Sequence, residues 1–213
     1  MYIPAAFHET DQTKLFDLIQ QYSFGLLVSA AHGEPFASHL PILLDRSFSP
    51  HGCLVGHMAR ANPQWKQAAD QTVLAVFSGP HAYVSPTWYE SENVVPTWNY
   101  AAVHVYGTLR AFDEREQLLQ IVTDYVDFYE ATMPQPWTFD RTSEYAQKMV
   151  QAIVGFRIEI SRIEGKFKLN QNHPLERQQK VVRALNASES HMDQSVAALM
   201  ESRAAGLRDD HSV

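Results

Sequence analysis

Two lysines near the last quarter of the chain are the first residues whose chemistry suits ligand binding. Lys166 and Lys168 flank Phe167, so in an extended segment both ammonium groups project to one side. Gln171 and Asn172 follow shortly afterwards. The result is a polar cluster just past the end of a predicted strand, a place where binding groups are common. A solvated turn is the alternative interpretation of these residues.

The segment around Arg60 is a second candidate, in this case for an anion. Asn62 is a favourable N-cap, and Pro63 suits the first position of a helix predicted to run to about Asp70. A helix N-terminus presents unpaired N–H groups and the positive end of the helix dipole, which suit a phosphate. Arg60 would add guanidinium donors to the same anion. Taken alone, the local pattern favours the alternative, in which Arg60 is a surface residue and Asn62 only a cap.

Other catalytic and metal-binding patterns are weak. The sequence has no Gly-x-Ser-x-Gly elbow, no phosphate loop and no dinucleotide glycine motif. None of the 10 histidines has zinc-site spacing. His39, His57, His81 and His104 lie in or beside predicted strands and could converge, although separately packed histidines are the favoured interpretation. Cys53 is the one cysteine, which excludes an intramolecular disulfide and a cysteine zinc site.

Residues 87–100 form an unusually aromatic segment. They include Trp88 and Trp98, two of the four tryptophans, and two tyrosines, and they follow neither a helix nor a strand period. Aromatic side chains are costly to leave in water, and their N–H and O–H groups need partners when buried. The segment therefore either covers a core or lines a site for a flat ligand.

Short strands and late helices are the elements that position these candidates. Six or seven strands linked by hairpins predict a small antiparallel barrel. The strand at residues 154–161 has the clearest alternation of apolar and polar residues, and a turn is predicted at Gly79–Pro80. The other strands are predicted at 24–30, 36–45, 53–57, 72–77, 82–85 and 101–112. Helices are predicted after Asp11, Asp113, Ser143 and Pro174 and at residues 190–204.

Charge and hydropathy narrow the class of protein. The chain has 213 residues and a net charge of -7; residues 1–161 hold 9 basic and 17 acidic residues, whereas residues 162–213 hold 8 and 7. DNA binding is therefore possible but weakly supported, because nucleic-acid binders usually carry a basic patch. Residues 1–9 do not form a signal peptide, and no apolar run reaches the about 18 residues of a membrane span. These features predict a cytoplasmic protein without a membrane partner.

Seven motifs follow one another along the chain: YIP at 2–4, SHLP at 38–41, GHMARANPQW at 56–65, YVSPTWY at 83–89, VPTWNY at 95–100, VHVYG at 103–107 and KFKLNQN at 166–172. In this order they strongly resemble the PaiB family, whose members are described as FMN-binding negative transcriptional regulators. The resemblance runs from Met1 to about Arg183. Asn170 departs from the pattern, because the family more often has serine there.

The resemblance implies a fold like the FMN-binding split barrel of pyridoxamine-phosphate oxidases. The fold class would be α+β, mainly β, with peripheral helices and a helical C-terminus. Residues 1–172 would form the split-barrel domain, with inserted helices at about 113–152, and residues 173–208 would form helices packed on the barrel. The implied assembly is a homodimer with FMN at the subunit interface.

The resemblance also implies roles for individual residues around the FMN. Arg60, Asn62 and the helix starting at Pro63 would hold the phosphate, and backbone groups around Phe77 would meet the pyrimidine edge. The residues flanking the ribityl chain and ring would be His39, Leu40, Pro41, His57 and Met58. Those closing the site would be Thr97, Trp98 and Asn99. The partners of the ring oxygens would be Lys168 and Gln171, and a positive charge there would stabilise the anionic reduced flavin.

Three functions stay open at this point. The first is a flavin-binding transcriptional regulator, and the second is a flavin-dependent oxidoreductase that acts on a small molecule. The third is a related use of the barrel to bind haem or another planar ligand. No catalytic residue is indicated, because fold alone does not establish activity.

Overall fold

The computed structural model describes residues 1–31 and 33–209. Within them there are seven strands: β1 His8–Glu9, β2 Phe24–Ala31, β3 Glu34–Asp45, β4 Cys53–Ala59, β5 Thr72–Val84, β6 Thr97–Phe112 and β7 Ile153–Lys168. The α-helices are α1 Gln12–Gln21, α2 Gln64–Gln67, α3 Arg115–Glu130, α4 Glu144–Met149, α5 Leu175–Asn186 and α6 His191–Asp209. Short 3-10 helices occupy Ala5–Phe7, Pro86–Tyr89 and Val150–Ala152.

The seven strands form one sheet in the order β1-β7-β4-β3-β2-β5-β6, and β6 also pairs with β7. Strands β2 to β7 therefore form a ring of pairings, to which β1 adds on β7. The registers of β2 with β3, β3 with β4 and β4 with β7 are antiparallel, with Ile42 opposite Gly56 and Leu54 opposite Ile158. The predicted mainly β, antiparallel barrel-type fold with peripheral helices is confirmed.

The chain divides into two compact units. The terminal unit contains Met1–Leu15, Ser78–Val103 and the described residues from Glu164 onward. The ring unit contains Phe16–Phe77 and His104–Ile163. The expected division into a barrel domain at 1–172 and C-terminal helices at 173–208 stays a prediction.

The core of the ring unit comes from the inward-facing residues of its strands. Leu27, Ile42 and Leu54 are fully buried, as is Phe156. The ring of Phe156 lies so close to Gly56 that a Cβ atom at position 56 would overlap it, so glycine is required there by packing. A smaller apolar cluster joins α3 to α4; its buried members are Leu118, Leu119, Ala146 and Val150.

In the terminal unit, α5 packs against α6. Val181 and Leu185 of α5 are fully buried, as are Val196 and Ala197 of α6. Strand β1 pairs with the end of β7, where His8 lies opposite Lys166. No helix within the described part of the chain combines the length and apolarity needed to cross a membrane.

Three element boundaries differ from the sequence predictions. Strand β5 runs through Gly79–Pro80 instead of turning there: two successive residues are buried at that point, and the alternation resumes afterwards. Strand β6 begins at Thr97 and not at Ala101, because the buried polar Asn99 interrupts the apolar alternation in the sequence. Strand β7 extends to Lys168, so both lysines of the polar cluster belong to the strand itself.

Candidate functional site

Arg60, predicted to bind a phosphate, is held by acceptors within the ring unit. Its Nε donates to the carbonyl of Gln151 at 2.8 Å and its Nη2 to the carbonyl of Ile153 at 3.1 Å. Its Nη1 donates to a carboxylate oxygen of Asp113 at 3.2 Å. The guanidinium group thus ties the end of β4 to the start of β7, and an anion would have to share or replace these acceptors.

The helix predicted after Asn62 is shorter than expected. Helix α2 has 4 residues and begins at Gln64, with Pro63 in the cap position. Asn62 precedes the cap position, but its Oδ1 still accepts from the Gln64 N–H at 3.0 Å, while its Nδ2 donates to Ser38 Oγ at 2.9 Å. A single turn carries little of the dipole that the anion argument requires.

His57 and Pro41, both predicted at the flavin, are brought together by Tyr125. The ring centroids of His57 and Tyr125 are 4.9 Å apart, and the Tyr125 hydroxyl donates to the Pro41 carbonyl at 2.6 Å. Among the residues described, His57 Nδ1 is buried and has no hydrogen-bond partner. Burial lowers the pKa of His57 and raises that of Tyr125, so both side chains are neutral at pH 7.

The other predicted residues of the ring unit are dispersed. Met58 and Phe77 are buried, so their side chains belong to the core, although the role predicted for Phe77 used only backbone groups. His39 is exposed and stacks on Phe24 with ring centroids 6.2 Å apart. Leu40 is half-buried on β3. A mainly apolar cavity of about 470 Å³ has His57 in its wall together with residues of α3, α4 and the 137–143 segment.

In the terminal unit, Lys168 contacts two other residues that were predicted at the flavin. Its Nζ donates to Thr97 Oγ1 and, at 2.6 Å, to the Trp98 carbonyl. No carboxylate pairs with Lys168 anywhere in the described ranges. Burial, and then the charge of Lys166, lower the pKa of Lys168. The structure thus joins three predicted residues around one partly buried cation whose acceptors are neutral.

Lys166 extends this cationic edge. It projects to the same side as Lys168 on β7, because the buried Phe167 lies between them. Its Nζ donates to the Tyr2 carbonyl at 3.1 Å and lies 5.3 Å from the centroid of the Tyr100 ring. Both lysines therefore contact backbone carbonyls and aromatic rings, and among the described residues neither forms an ion pair with a carboxylate.

Asn99 and Gln171, two further residues predicted at the flavin, also lie in the terminal unit. They differ in whether the polar atoms of their side chains already have partners. Asn99 is fully buried; its Nδ2 contacts Met200 Sδ at 3.4 Å, and its Oδ1 has no partner among the described residues. Gln171 Oε1 accepts from the Leu169 N–H at 2.6 Å, and its Nε2 donates to the Phe167 carbonyl. The Gln171 amide therefore closes its own turn.

Asn170, where the sequence departs from the PaiB pattern, has a structural role in the same turn. Its φ of 63° lies in the left-handed region, which asparagine tolerates better than most residues. Its Nδ2 donates to the Tyr89 hydroxyl at 3.1 Å. Asparagine at this position thus suits both the backbone and the buried tyrosine.

The aromatic segment at 87–100 divides into two parts. Tyr89 is buried and covers a core, while Trp98 is 53% exposed. The Trp98 ring lies 6.1 Å from His81 and 6.0 Å from Tyr83, both on β5. The buried Tyr89 agrees with the first interpretation of the segment, and a site for a flat ligand at Trp98 stays a prediction.

Sequence reasoning missed several residues beside these groups. In the ring unit they are Tyr125 and Gln64, whose buried Nε2 donates to the Leu27 carbonyl at 3.1 Å. In the terminal unit they are His173 and Arg177, which share a cavity of about 220 Å³ with Lys168. Their positions on a helix or in a loop carry no periodic signal that marks them as site residues.

Comparisons with known proteins identify the family and the fold. The family described as "Putative FMN-binding domain" matches residues 1–162. The Bacillus subtilis (strain 168) protein named "Protease synthase and sporulation protein PAI 2" is 37% identical over 205 residues, which cover 95% of this chain and 98% of that protein. The predicted resemblance to the PaiB family is thereby confirmed.

Solved structures agree on the fold. The flavocytochrome Anf3 from Azotobacter vinelandii matches with a TM-score of 0.59 at 14% identity, over 76% of this chain and 69% of that chain. The FAD and heme binding protein from Mycobacterium smegmatis matches with a TM-score of 0.57 at 13% identity, over 81% and 78% of the two chains. Identity this low supports the shared fold and nothing finer.

The residues present fit an FMN. The cofactor carries an anionic phosphate and a ring with both hydrogen-bond donors and acceptors. Lys168 offers a cation without a carboxylate partner among the described residues, and Asn99 Oδ1 and His57 Nδ1 are buried atoms that lack partners there. Such unpaired buried atoms are costly unless something binds to them.

Proposed function

The chain belongs to the family of FMN-binding domains, FMN is its cofactor, and we propose that it binds this flavin in a cytoplasmic homodimer that acts as a negative transcriptional regulator. The regulatory role is supported by the 37% identical relative, which is named a protease synthase and sporulation protein. When bound, FMN supplies hydride and electron transfer chemistry.

The environment of Lys168 is the observation that carries flavin binding. A partly buried ammonium group with only neutral acceptors is stabilised by an anionic ligand, because an opposite charge offsets the cost of burial. The residues we propose around the flavin in the terminal unit are Thr97, Trp98, Asn99, Lys168 and Gln171. Those in the ring unit are His39, Leu40, Pro41, His57, Met58, Arg60, Asn62 and Phe77.

FMN binding is tested by the absorption spectrum of the purified protein and by quenching of FMN fluorescence. We expect Lys168→Gln to weaken FMN by about ten- to a hundredfold, since a hydrogen bond to a charged group is worth about 1.5–3 kcal/mol. Lys14→Gln is the matched control, because Lys14 is an exposed lysine of the same unit. A colourless protein that leaves FMN fluorescence unchanged would contradict flavin binding.

Exposed aromatic and apolar side chains support the homodimer. Trp98 and Val95 are exposed in the terminal unit, and Phe24, Trp137 and Tyr145 are exposed in the ring unit. Contiguous exposed apolar patches mark interaction surfaces, and Trp98 lies against a second exposed aromatic residue, Tyr83. Light scattering across a dilution series, with and without FMN, measures the assembly, and a stable monomer in both series would refute it.

The structure bears on how such a regulator would meet DNA. On α5, the charge of Lys180 is already compensated by Glu90 at 2.8 Å and Glu176 at 3.5 Å. We therefore propose that α5 is not a DNA-binding helix. Titration with DNA at low salt tests direct binding, and strong, salt-dependent binding lost in Lys180→Gln would contradict this proposal.

A flavin-dependent oxidoreductase acting on a small molecule is the second candidate. It is favoured by the cavity beside Lys168, which could admit a substrate next to the proposed flavin residues. Stopped-flow mixing of the FMN-loaded protein with NADH or NADPH follows flavin reduction directly. If neither nucleotide reduces the flavin, a nicotinamide-dependent oxidoreductase is ruled out.

A further inference from the structure

The cavity of about 220 Å³ in the terminal unit is lined in part by His173 and Arg177, to which the proposed flavin binding assigns no role. It lies among residues of the 89–97 segment, the end of β7 and the start of α5. Lys168, His173 and Arg177 line it together with Tyr89 and three asparagines, Asn93, Asn170 and Asn172. Among its described lining residues none is an aspartate or a glutamate.

Arg177 is fixed in this cavity by neutral groups. Its Nη1 lies 3.1 Å from His173 Nδ1, and its Nη2 donates to Ser91 Oγ at 3.1 Å. The guanidinium carbon lies 5.2 Å from the centroid of the Tyr89 ring. The arginine is therefore oriented without being neutralised, which leaves part of its five-donor fork available.

Arg177 also determines the tautomer of His173. A guanidinium group can only donate, so His173 Nδ1 is the acceptor and the proton lies on Nε2. Burial, followed by the charges of Arg177 and Lys168, lowers the pKa of His173. The imidazole is neutral at pH 7 and retains one N–H donor.

A neighbouring basic residue on α5 differs from Arg177 in having carboxylate partners. Lys180, three residues further along the helix, has two glutamate partners. Arg177 and Lys168 have none in the part of the chain that the structure describes. Two positive charges thus line one small cavity without an anion, while a nearby charge on the same helix is compensated.

We propose that this cavity binds a small organic molecule through a carboxylate or phosphate group, with Arg177 as the charged clamp. Lys168 supplies the second positive charge, His173 supplies a neutral donor, and the Tyr89 ring holds the arginine plane. Arginine suits this task because its planar fork matches the geometry of both oxyanions. The inference deepens the proposed function, on which it rests for a biological role, by naming an anionic substrate.

Calorimetric titration tests the site with two probes, inorganic phosphate and benzoate, on the purified protein. We expect at least one probe to bind, and Arg177→Gln to weaken it at least tenfold. Arg183→Gln is the matched control, because Arg183 lies on α5 and does not line this cavity. A preference for one probe identifies the oxyanion as phosphate or carboxylate.

FMN affinity is measured on the same proteins, so the two proposals can fail separately. We expect Arg177→Gln to change FMN affinity by less than twofold. Anion binding that survives in a protein unable to bind FMN would refute the proposed function and support this site. If Arg177→Gln weakens FMN and the anion equally, the cavity is part of the flavin site and the separate anion site is refuted.

The other possible results also support or refute the anion site. Absence of binding by both probes, or equal binding by wild type and Arg177→Gln, would refute the site. If Arg177→Gln does not fold, Arg177→Lys retains the charge and removes the fork. Weaker anion binding in Arg177→Lys would then support the clamp, and unchanged binding would refute it.

Discussion

Substitution of Arg60 by alanine separates two roles that its side chain could have. The structure shows hydrogen bonds to the Gln151 and Ile153 carbonyls and an ion pair with Asp113. The family resemblance instead implies a contact with the FMN phosphate. The first role predicts lower stability in the absence of FMN, and the second predicts weaker FMN binding.

The size of the stability effect follows from these contacts. Hydrogen bonds from a charged group are worth about 1.5–3 kcal/mol when buried, but the Arg60 side chain is 39% exposed, so about 1 kcal/mol each is more realistic. The ion pair with the exposed Asp113 adds at most about 1 kcal/mol. We expect Arg60→Ala to lower the free energy of unfolding by about 2–3 kcal/mol.

Urea unfolding of the FMN-free protein measures this loss, and Asp113→Asn is the control that removes only the ion pair. We expect the control to lose less than about 1 kcal/mol. FMN titration of the folded Arg60→Ala protein measures the second role, for which a contact with the phosphate predicts about ten- to a hundredfold weaker binding. Unchanged unfolding would refute the tether, and unchanged FMN affinity would remove Arg60 from the flavin residues.

Three further predictions concern the ring unit. Tyr125→Phe leaves two backbone carbonyls without their hydroxyl donor, so urea unfolding should show a loss of about 1–3 kcal/mol, while Tyr145→Phe, at an exposed position, should show almost none. Gly56→Ala should lower the melting temperature, because the new Cβ would overlap the Phe156 ring and overpacking costs about 1–3 kcal/mol; an unchanged melting temperature would contradict this packing. His57 has a lowered pKa in the folded protein, so the unfolded chain takes up its proton first and stability should fall as pH drops below about 6.5. Urea unfolding between pH 7 and pH 5 should show a shallower loss in His57→Gln, and an equal slope would refute the assignment.

The sequence predicts the ring of strands well, because alternation and turn residues are local signals. The clearest case is β7, in which Val154, Phe156 and Ile158 are all buried. The prediction fails where a local signal meets a stronger tertiary constraint. Gly79–Pro80 has turn chemistry but lies within β5, and Asn99 breaks the apolar alternation although it is a buried strand residue.

Site residues are harder to predict, because their partners are distant and include backbone atoms. Lys168 meets the Trp98 carbonyl, and Arg60 meets the Gln151 carbonyl, and a backbone acceptor has no identity in the sequence. Nothing in the sequence marks Tyr125 as a site residue, yet its hydroxyl contacts backbone carbonyls of two strands. The type of a residue determines which hydrogen bonds its side chain can form. Its partners in the fold determine which of those bonds remain open to a ligand.

Arg60 and Arg177 show why the partners of an arginine matter more than its residue type in assigning an anion-binding role. Arg60 lies in a recognisable motif, yet a carboxylate and two carbonyls already occupy its donors. Arg177 lies outside the seven motifs, yet among the described residues its partners are an imidazole, a hydroxyl and an aromatic ring, none of them an anion. An incoming oxyanion must displace Asp113 to gain full use of Arg60, whereas at Arg177 it meets an uncompensated charge that is already oriented. Desolvation therefore favours the anion at Arg177, since the protein has arranged the donors there before the ligand arrives.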